Sequence, residues 1–406
     1  MTQSFQHVKQ RFYNYPVDGE LIYELGFVCY FVIAFLQTTT FLDFFGKNTL
    51  HDLSYVGLAI ILFKIFFIDN QKLSLFISNI VILGLLAITW RISGEFTMLP
   101  MGILILGARN VDFRLIVKLY FGIGIIILAL TGCASLMGII KNLVYHRGAT
   151  SVVRQSFGII YPTDFAAHVF YLVLAYSYLK FKKLGWKSYV FFVIIAWLLI
   201  KFCDARLSAY ALIILIPVMI IGKLAYEGWS APRMIAHFYW TVPVLLGYIT
   251  FCLSYFYSSN NHIFWKINNL LSGRLKLSHE ALNRYPMNIF GQHMVEHGWG
   301  GTKGIQMADK NPNNYFFVDS SYIRMTILYG IIVALLVLII MTIISHRSIM
   351  HMEYALASIM VMVAISSVVE QRLYDIAYNP FLIALFANVY INKMSGGENF
   401  ETIHTR

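Results

Sequence analysis

Residues 258–319 read SSNNHIFWKINNLLSGRLKLSHEALNRYPMNIFGQHMVEHGWGGTKGIQMADKNPNNYFFVD, the one long polar stretch in a chain of repeated apolar runs. The 406 residues are 58% hydrophobic, 16% aromatic and only 13% charged. Apolar runs of about 17–25 residues broken by short charged turns are the pattern of a polytopic helical membrane protein. The expected fold is therefore all-α, a transmembrane helical bundle of about twelve spans. The polar stretch forms a long extracytoplasmic loop containing short helices between the ninth and tenth.

The spans are expected near 21–42, 53–68, 73–90, 96–108, 114–140, 164–180, 188–203, 207–222, 234–256, 321–344, 352–369 and 378–392. The fourth is short and holds Pro100, as a broken or re-entrant helix would. The whole chain, 1–406, then reads as a single integral membrane domain with a large loop at 257–320 and a smaller one at 141–163. The opening MTQSFQHVKQRFYNYPVDGE lacks the short apolar region and small-residue cleavage site of a removable leader, so the first span is expected to stay as an anchor. Cys29, Cys133, Cys203 and Cys252 all fall in apolar runs without close spacing, as small buried hydrophobes do.

The net charge of +11 is scattered between spans, which points to anionic lipid or a lipid-linked substrate and away from nucleic acid. With the N-terminus inside, the inner loops collect Lys9, Lys72, Lys118, Lys180, Lys182, Lys183, Lys187, Lys223, Arg233, Arg347 and Lys393. Both termini are then cytoplasmic. The outer side carries Arg91, Arg147, Arg154, Arg206, Arg274, Arg284, Arg324 and Arg372. Arginines on the translocated side run against the usual bias. They either snorkel to headgroups and pair with Asp204, Glu95 or Glu370, or line a cationic cavity whose planar forks bind phosphate oxygens.

Within the polar stretch, Ser272 to Pro286 reads as a short helix with Ser272 as N-cap, ended by the proline. At 3.6 residues per turn Arg274 and Arg284 lie within a quarter turn of each other, with Leu275 and Leu282 on a neighbouring stripe. His293-Met-Val-Glu296-His297 matches a zinc pattern, but Gly291 and Gly298 leave too little room for the helix it needs. His293, Glu296 or His297 remain candidates for a general base without metal. Asp319 is either an N-cap carboxylate for the following span or a base for a sugar hydroxyl. Glu370 and Arg372 in the last outer loop are open to structural and catalytic readings alike. There is no Gly-rich phosphate loop, Asp-x-Asp pair or nucleotide-binding domain, which disfavours a nucleotide-sugar donor or ATP-driven export.

Taken together, Arg154-Gln155-Ser156-Phe157-Gly158, Asp204-Ala205-Arg206, Ser272-Gly273-Arg274 through Pro286, Phe290-Gly291, Val318-Asp319-Ser320-Ser321-Tyr322 and Glu370 with Asn379-Pro380-Phe381 resemble the Wzy-type polysaccharide polymerases, related to the O-antigen ligases of bacterial envelopes. The resemblance spans about the last two-thirds of the chain. It implies a metal-independent, inverting glycosyltransferase of the bacterial cytoplasmic membrane, without cofactor. Such an enzyme joins oligosaccharide repeat units carried on polyprenyl diphosphate, with a flippase and a chain-length regulator as partners. It also implies that Arg154, Arg206 and Arg274 hold the donor diphosphate, supported by Arg284. Arg91, Arg147, Arg372 and Tyr322 are further candidates for the substrate surface. Asp319, Glu296, His293 and Glu370 are the candidate proton acceptors. The ligases carry histidine where Asp319 stands, and their His-Pro-Asn corresponds to Tyr161-Pro162-Thr163 here. Two alternatives are a ligase transferring once to a fixed acceptor and a flippase or transporter, for which Lys64 and Lys201 are the embedded charges.

Overall fold

A computed structural model describes residues 18–146, 152–311 and 314–389. In chain order the helices are α1 (Gly19–Leu36), α2 (Lys47–Phe63), α3 (Leu73–Ser93), α4 (Met98–Gly107), α5 (Phe113–Leu136), α6 (Pro162–Leu179), α7 (Trp186–Cys203), α8 (Arg206–Glu227), α9 (Ser230–His237) and α10 (Val242–Tyr255). They continue with α11 (His262–Leu270), α12 (Arg274–Arg284), α13 (Gly301–Lys310), α14 (Ser321–Leu328), α15 (Gly330–Met350) and α16 (Tyr354–Val369). A short antiparallel pair, β1 (Val144–His146) and β2 (Val153–Gln155), interrupts the all-helical pattern between α5 and α6.

Among the described residues, eight helices are long and apolar enough to cross a membrane. The architecture is that of an all-α membrane bundle. The outer helices show the lipid-facing signature directly: α3 leaves Ile77, Ile80, Val81 and Ile88 exposed. By contrast α6 and α16 are buried on nearly every face and form the centre of the bundle. The first two helices cross closely because Gly26 and Gly57 face each other, where an added Cβ on Gly57 would lie 2.7 Å from the Tyr30 amide and 2.8 Å from the Gly26 carbonyl.

Two expected spans take another form. The span read as 321–344 is two helices, α14 and α15, with a break at Tyr329–Gly330. Gly330 has φ 88°, and residues 288–292 fill the break. There Ile331 donates its amide to the Asn288 carbonyl, Ile332 to Ile289, and Gln292 to Ile327. A packed loop thus satisfies amides that a helix would have paired internally. The second is the span read as 378–392. Over its described residues it holds only a five-residue 3-10 helix, Phe381–Leu385.

That last segment nonetheless runs through the bundle. Glu370 lies at the end that carries the polar loops, while Asn388 exchanges backbone hydrogen bonds with Val111 and Phe113 at the opposite end. Non-helical backbone at this depth is tolerated only when protein encloses it. Here Leu373, Tyr374, Ile376, Ala377, Tyr378, Asn379, Phe381, Leu382 and Ile383 are all buried. Side chains supply what a helix would have supplied. Asn379 Nδ2 donates to the Leu373 carbonyl at 2.7 Å, its Oδ1 accepts from the Phe381 amide, and Asp375 Oδ1 accepts from the Ala377 amide. The Tyr120 hydroxyl donates to the Tyr378 carbonyl, and Ser321 Oγ accepts from the Leu373 amide. His168 of α6 is stacked between Phe35 and Tyr378, 4.1 Å from each ring.

Replacing Gly330 by Ala tests the broken helix. An added Cβ would stand 2.3 Å from the Ile289 carbonyl oxygen and 2.4 Å from the Gly291 amide, at a φ that side chains disfavour. Gly330→Ala should destabilise the purified protein by more than about 1 kcal/mol, read as a clear fall in detergent Tm. An unchanged Tm would mean the break is not tightly packed.

Candidate active site

One large cavity, of about 690 Å³, opens at the end of the bundle where the polar loops gather. Its ionic lining consists of Lys47, Arg154, Arg206, Arg274, Arg324 and Arg372 against Glu95, Asp164, Asp204, Asp319, Glu370 and Asp375. The cations and carboxylates are equal in number, so the uniformly cationic cavity expected from the arginines is not what forms. Most of these arginines are engaged by carboxylates.

Three helix ends build the centre. Arg274 is the first residue of α12, Glu370 is the C-cap of α16, and Asp319 stands two residues ahead of α14. Arg274 Nε donates to the Val369 carbonyl at 2.6 Å and lies 3.3 Å from Asp319 Oδ2, while its Nη2 is 3.7 Å from Glu370 Oε1. Ser321 Oγ donates to the Glu370 carbonyl at 2.5 Å, which ties the start of α14 to the end of α16. Ser320 occupies the N-cap position of α14 and makes no side-chain capping bond, so Asp319 is left to Arg274.

Glu370 is buried, and its Oε1 has no hydrogen-bond partner among the described residues. Burial pushes its pKa up to about 7, with Arg274 pulling it back down and the nearby Asp319 pushing it up. Arg274 itself stays charged: burial works against its cation, but Asp319 and Glu370 more than compensate. A carboxyl poised near neutrality in a cavity is the property of a proton-transfer group.

A second cluster lies beside the first. Arg372 pairs with Asp164 and stands 3.9 Å from Asp375, its guanidinium 4.4 Å from the Tyr378 ring centroid. A third joins Arg324 to Glu296 and, at 3.9 Å, to Glu95. Glu296 also accepts from the Val318 amide at 2.9 Å and is not among the cavity-lining residues, so it holds the loop and Arg324 in place.

Arg154 is different. The residue is 93% buried, anchored by Nε to the Cys203 carbonyl at 3.0 Å, and among the described residues no carboxylate lies within 4.0 Å of its guanidinium. Among the described residues Arg206 uses only Nε on Asp204, at 2.9 Å, and its side chain is 51% exposed. Asp204 adopts the left-handed conformation, φ 45°, that ends α7 and turns the chain sharply into α8. The N-terminus of α8 therefore faces the cavity with Ala205, Arg206, Leu207 and Ser208 in its wall and no side-chain cap on its free amides. Helix amides, their dipole and two guanidinium groups are the chemistry that can hold an anion.

Several expected site residues lie elsewhere. Arg284 lies within about a quarter turn of Arg274 but sits ten residues along α12, about 15 Å away. It is exposed, paired with Glu280, over the Phe316 ring and outside the cavity. Arg91 is exposed in the last turn of α3, away from the cavity. Tyr322 is buried, its hydroxyl donating to the Ala364 carbonyl at 3.2 Å. His293 is exposed and does not line the cavity, and 293–297 forms no helix, so the two histidines lack the helical spacing of the zinc pattern. Arg147 falls outside the described residues. Ser272 is not the N-cap of α12; Gly273 holds that position. Of the embedded lysines, Lys64 is buried and bound by Asp69 and the Arg109 carbonyl at the far end of the bundle, and Lys201 lies over the Trp197 ring. Asp164, Asp375, Tyr145, Trp299 and Tyr315 join the site without having been singled out, whereas Tyr161 is marked in the sequence only as standing where the ligases carry the histidine of His-Pro-Asn.

Comparison of the chain with protein-family models, with curated proteins and with solved structures gives no match. The class defined by fold and site is thus an all-α membrane bundle with a charged cavity at one end.

The Asp164–Arg372 pair permits a direct test. Removing one partner of a buried ion pair leaves the other charge uncompensated, at a cost of about 3 kcal/mol or more. Asp164→Ala should lower detergent Tm markedly, with Asp375 offsetting only part of the loss. A change below about 1 kcal/mol would mean that Arg372 is held by its ring contact and Asp375 alone.

Proposed function

We propose that the protein is a polysaccharide polymerase. It joins oligosaccharide repeat units carried on polyprenyl diphosphate, at the outer face of a bacterial cytoplasmic membrane, by inverting and metal-independent glycosyl transfer. The observation that carries the reading is the pairing, within one cavity, of a proton acceptor near neutrality with a separate anion site. Glu370 shares the cavity with the N-terminus of α8 and with Arg154, which among the described residues has no carboxylate within 4.0 Å. The resemblance of these same segments to Wzy-type polymerases supplies the substrate class.

In this reading the end with Lys72, Lys118, Lys180, Lys182, Lys183, Lys187 and Lys223 is cytoplasmic, and the cavity opens outward. The donor diphosphate sits on Arg154, Arg206 and the α8 amides. Glu370 takes the proton of the acceptor hydroxyl as that oxygen attacks the anomeric carbon from the face opposite the diphosphate. The bond from anomeric carbon to phosphate oxygen breaks, its electron pair leaves with polyprenyl diphosphate, and the anomeric configuration inverts. The guanidinium groups stabilise the negative charge that grows on the leaving oxygen. Arg274 holds Glu370 and Asp319 in place and sets how readily Glu370 gives up its proton; it acts on the base more than on the phosphate.

Reconstituted in nanodiscs with the lipid-diphosphate repeat unit and EDTA, the protein should give a ladder of repeat units on a gel. Glu370→Gln should lower turnover by about 10²–10⁴-fold with donor binding intact. No ladder from the unaltered protein would overturn the polymerase reading, and an undiminished ladder from Glu370→Gln would move the base to Asp319.

The pH profile tests the same assignment independently. A base must be deprotonated to act, so turnover should climb about tenfold per pH unit below pH 7 and level off above it. Arg274→Gln removes the cation that lowers the Glu370 pKa, so the rising limb should move to higher pH. A limb that stays in place in that variant would show that Arg274 does not tune the base.

A further inference from the structure

Four aromatic rings line the cavity beside the charge networks. Tyr145 and Tyr161 lie with centroids 4.7 Å apart at 69°, and Trp299 and Tyr315 lie 4.7 Å apart at 54°. All four line the cavity, and none belongs to the main hydrophobic core of the bundle. Large rings gathered in a polar cavity, outside the core, are usual where a ligand covers them.

Their position is defined by what surrounds them. The Tyr315 hydroxyl is close enough to Asp319 and Arg274 to feel their charges. Tyr161 in turn meets Arg154, with its hydroxyl 3.5 Å from Nη1 and the guanidinium 5.4 Å from its ring centroid. Trp299 and Tyr315 are thus the ring pair beside Asp319, and Tyr145 and Tyr161 the pair beside Arg154. The wall is held by backbone. His297 and Phe316 exchange hydrogen bonds of 2.8 and 3.3 Å, and the Gly301 amide donates to the Ile160 carbonyl at 2.9 Å. Among the described residues neither the Trp299 indole N–H nor the Tyr315 hydroxyl makes a hydrogen bond, so both polar edges are open to a ligand.

A pyranose matches this wall. Its axial C–H groups form an apolar face that rests on an aromatic ring, while its equatorial hydroxyls need donors and acceptors at the edge. Indole N–H, phenol and carboxylate supply those here. A phosphate would prefer the guanidinium side, and a lipid chain would gain nothing from a cavity lined by ion pairs.

We propose that Trp299 and Tyr315 form a saccharide platform that seats the terminal sugar of the acceptor glycan, its hydroxyl edge turned toward Asp319 and Glu370. Calling the bound sugar an acceptor rests on the polymerase reading; binding of the sugar at this wall does not.

The test uses the full-length protein in nanodiscs and the free oligosaccharide cleaved from the lipid-linked repeat unit, without lipid or phosphate. Titration calorimetry should show saccharide binding that Trp299→Ala weakens on the order of tenfold, with Tyr315→Ala similar and Trp299→Phe intermediate because a ring remains. Saccharide should also change the intrinsic tryptophan fluorescence of the wild type and not that of Trp299→Phe. Retained binding of inorganic pyrophosphate shows that each variant is folded. Equal saccharide affinity in wild type and Trp299→Ala would overturn the platform, as would a wild type that binds pyrophosphate but no saccharide. Saccharide binding lost in Trp299→Ala, in a protein that makes no polymer in the reconstitution, would leave the platform standing and remove the polymerase.

Discussion

Backbone amides that leave a helix deep inside an apolar bundle must find partners within the protein, and segment 371–388 imposes that demand on everything around it. It traverses the bundle with only one short 3-10 turn, so its carbonyls and amides depend on Asn379, Asp375, Tyr120 and Ser321. Its 3-10 turn packs against α4, α5 and α15, while α6 and α16, buried on nearly every face, lie inside the lipid-facing helices. His168 between Phe35 and Tyr378 belongs to the same enclosure. The hydrogen bonds of Asn379, Tyr120 and Ser321 are thus explained by one irregular piece of chain.

The cavity is a consequence of where that segment starts. When α16 ends at Glu370, a carboxylate is delivered to the inner edge of the polar loops, and α12 brings Arg274 against it. Buried charges cost several kcal/mol each unless paired, so the arginines that converge here arrive with carboxylates. Pairing silences most of them toward an outside anion. Arg154 escapes because the backbone carbonyl of Cys203 anchors it, and Arg206 because only one edge of its fork is used. The result is a cavity in which paired arginines, two incompletely engaged ones and four aromatic rings share one lining.

Much of the site was legible in the residues, and the reasons for the failures are physical. Asp319, Glu370, Arg154, Arg206, Arg274 and Arg372 were marked because charges next to apolar runs are expensive, and all line one cavity. Arg284 was marked as an outer-side arginine a quarter turn from Arg274, and that angle says nothing of the axial distance that carries it out of the site. Tyr322 was marked as part of the segment Val318–Tyr322, but its hydroxyl donates to the Ala364 carbonyl inside the core. The partition of arginines into paired and unpaired is a matter of distances between elements far apart in the chain, which no local pattern contains.

Hydropathy and spacing by themselves determined the class of the chain: apolar helices connected by short turns, and one long polar stretch that supplies part of the functional end. Those follow from transfer of side chains between water and hydrocarbon, a property each segment has before it meets any other. Only the tertiary structure decided that the last apolar stretch runs, over its described residues, without a long helix, that the span after the polar stretch is broken at Gly330, and that a buried oxygen of Glu370 has no hydrogen bond among the described residues. Each of these depends on which groups from distant segments arrive to satisfy, or fail to satisfy, a buried polar atom. That is settled by packing and by nothing written in the neighbouring residues.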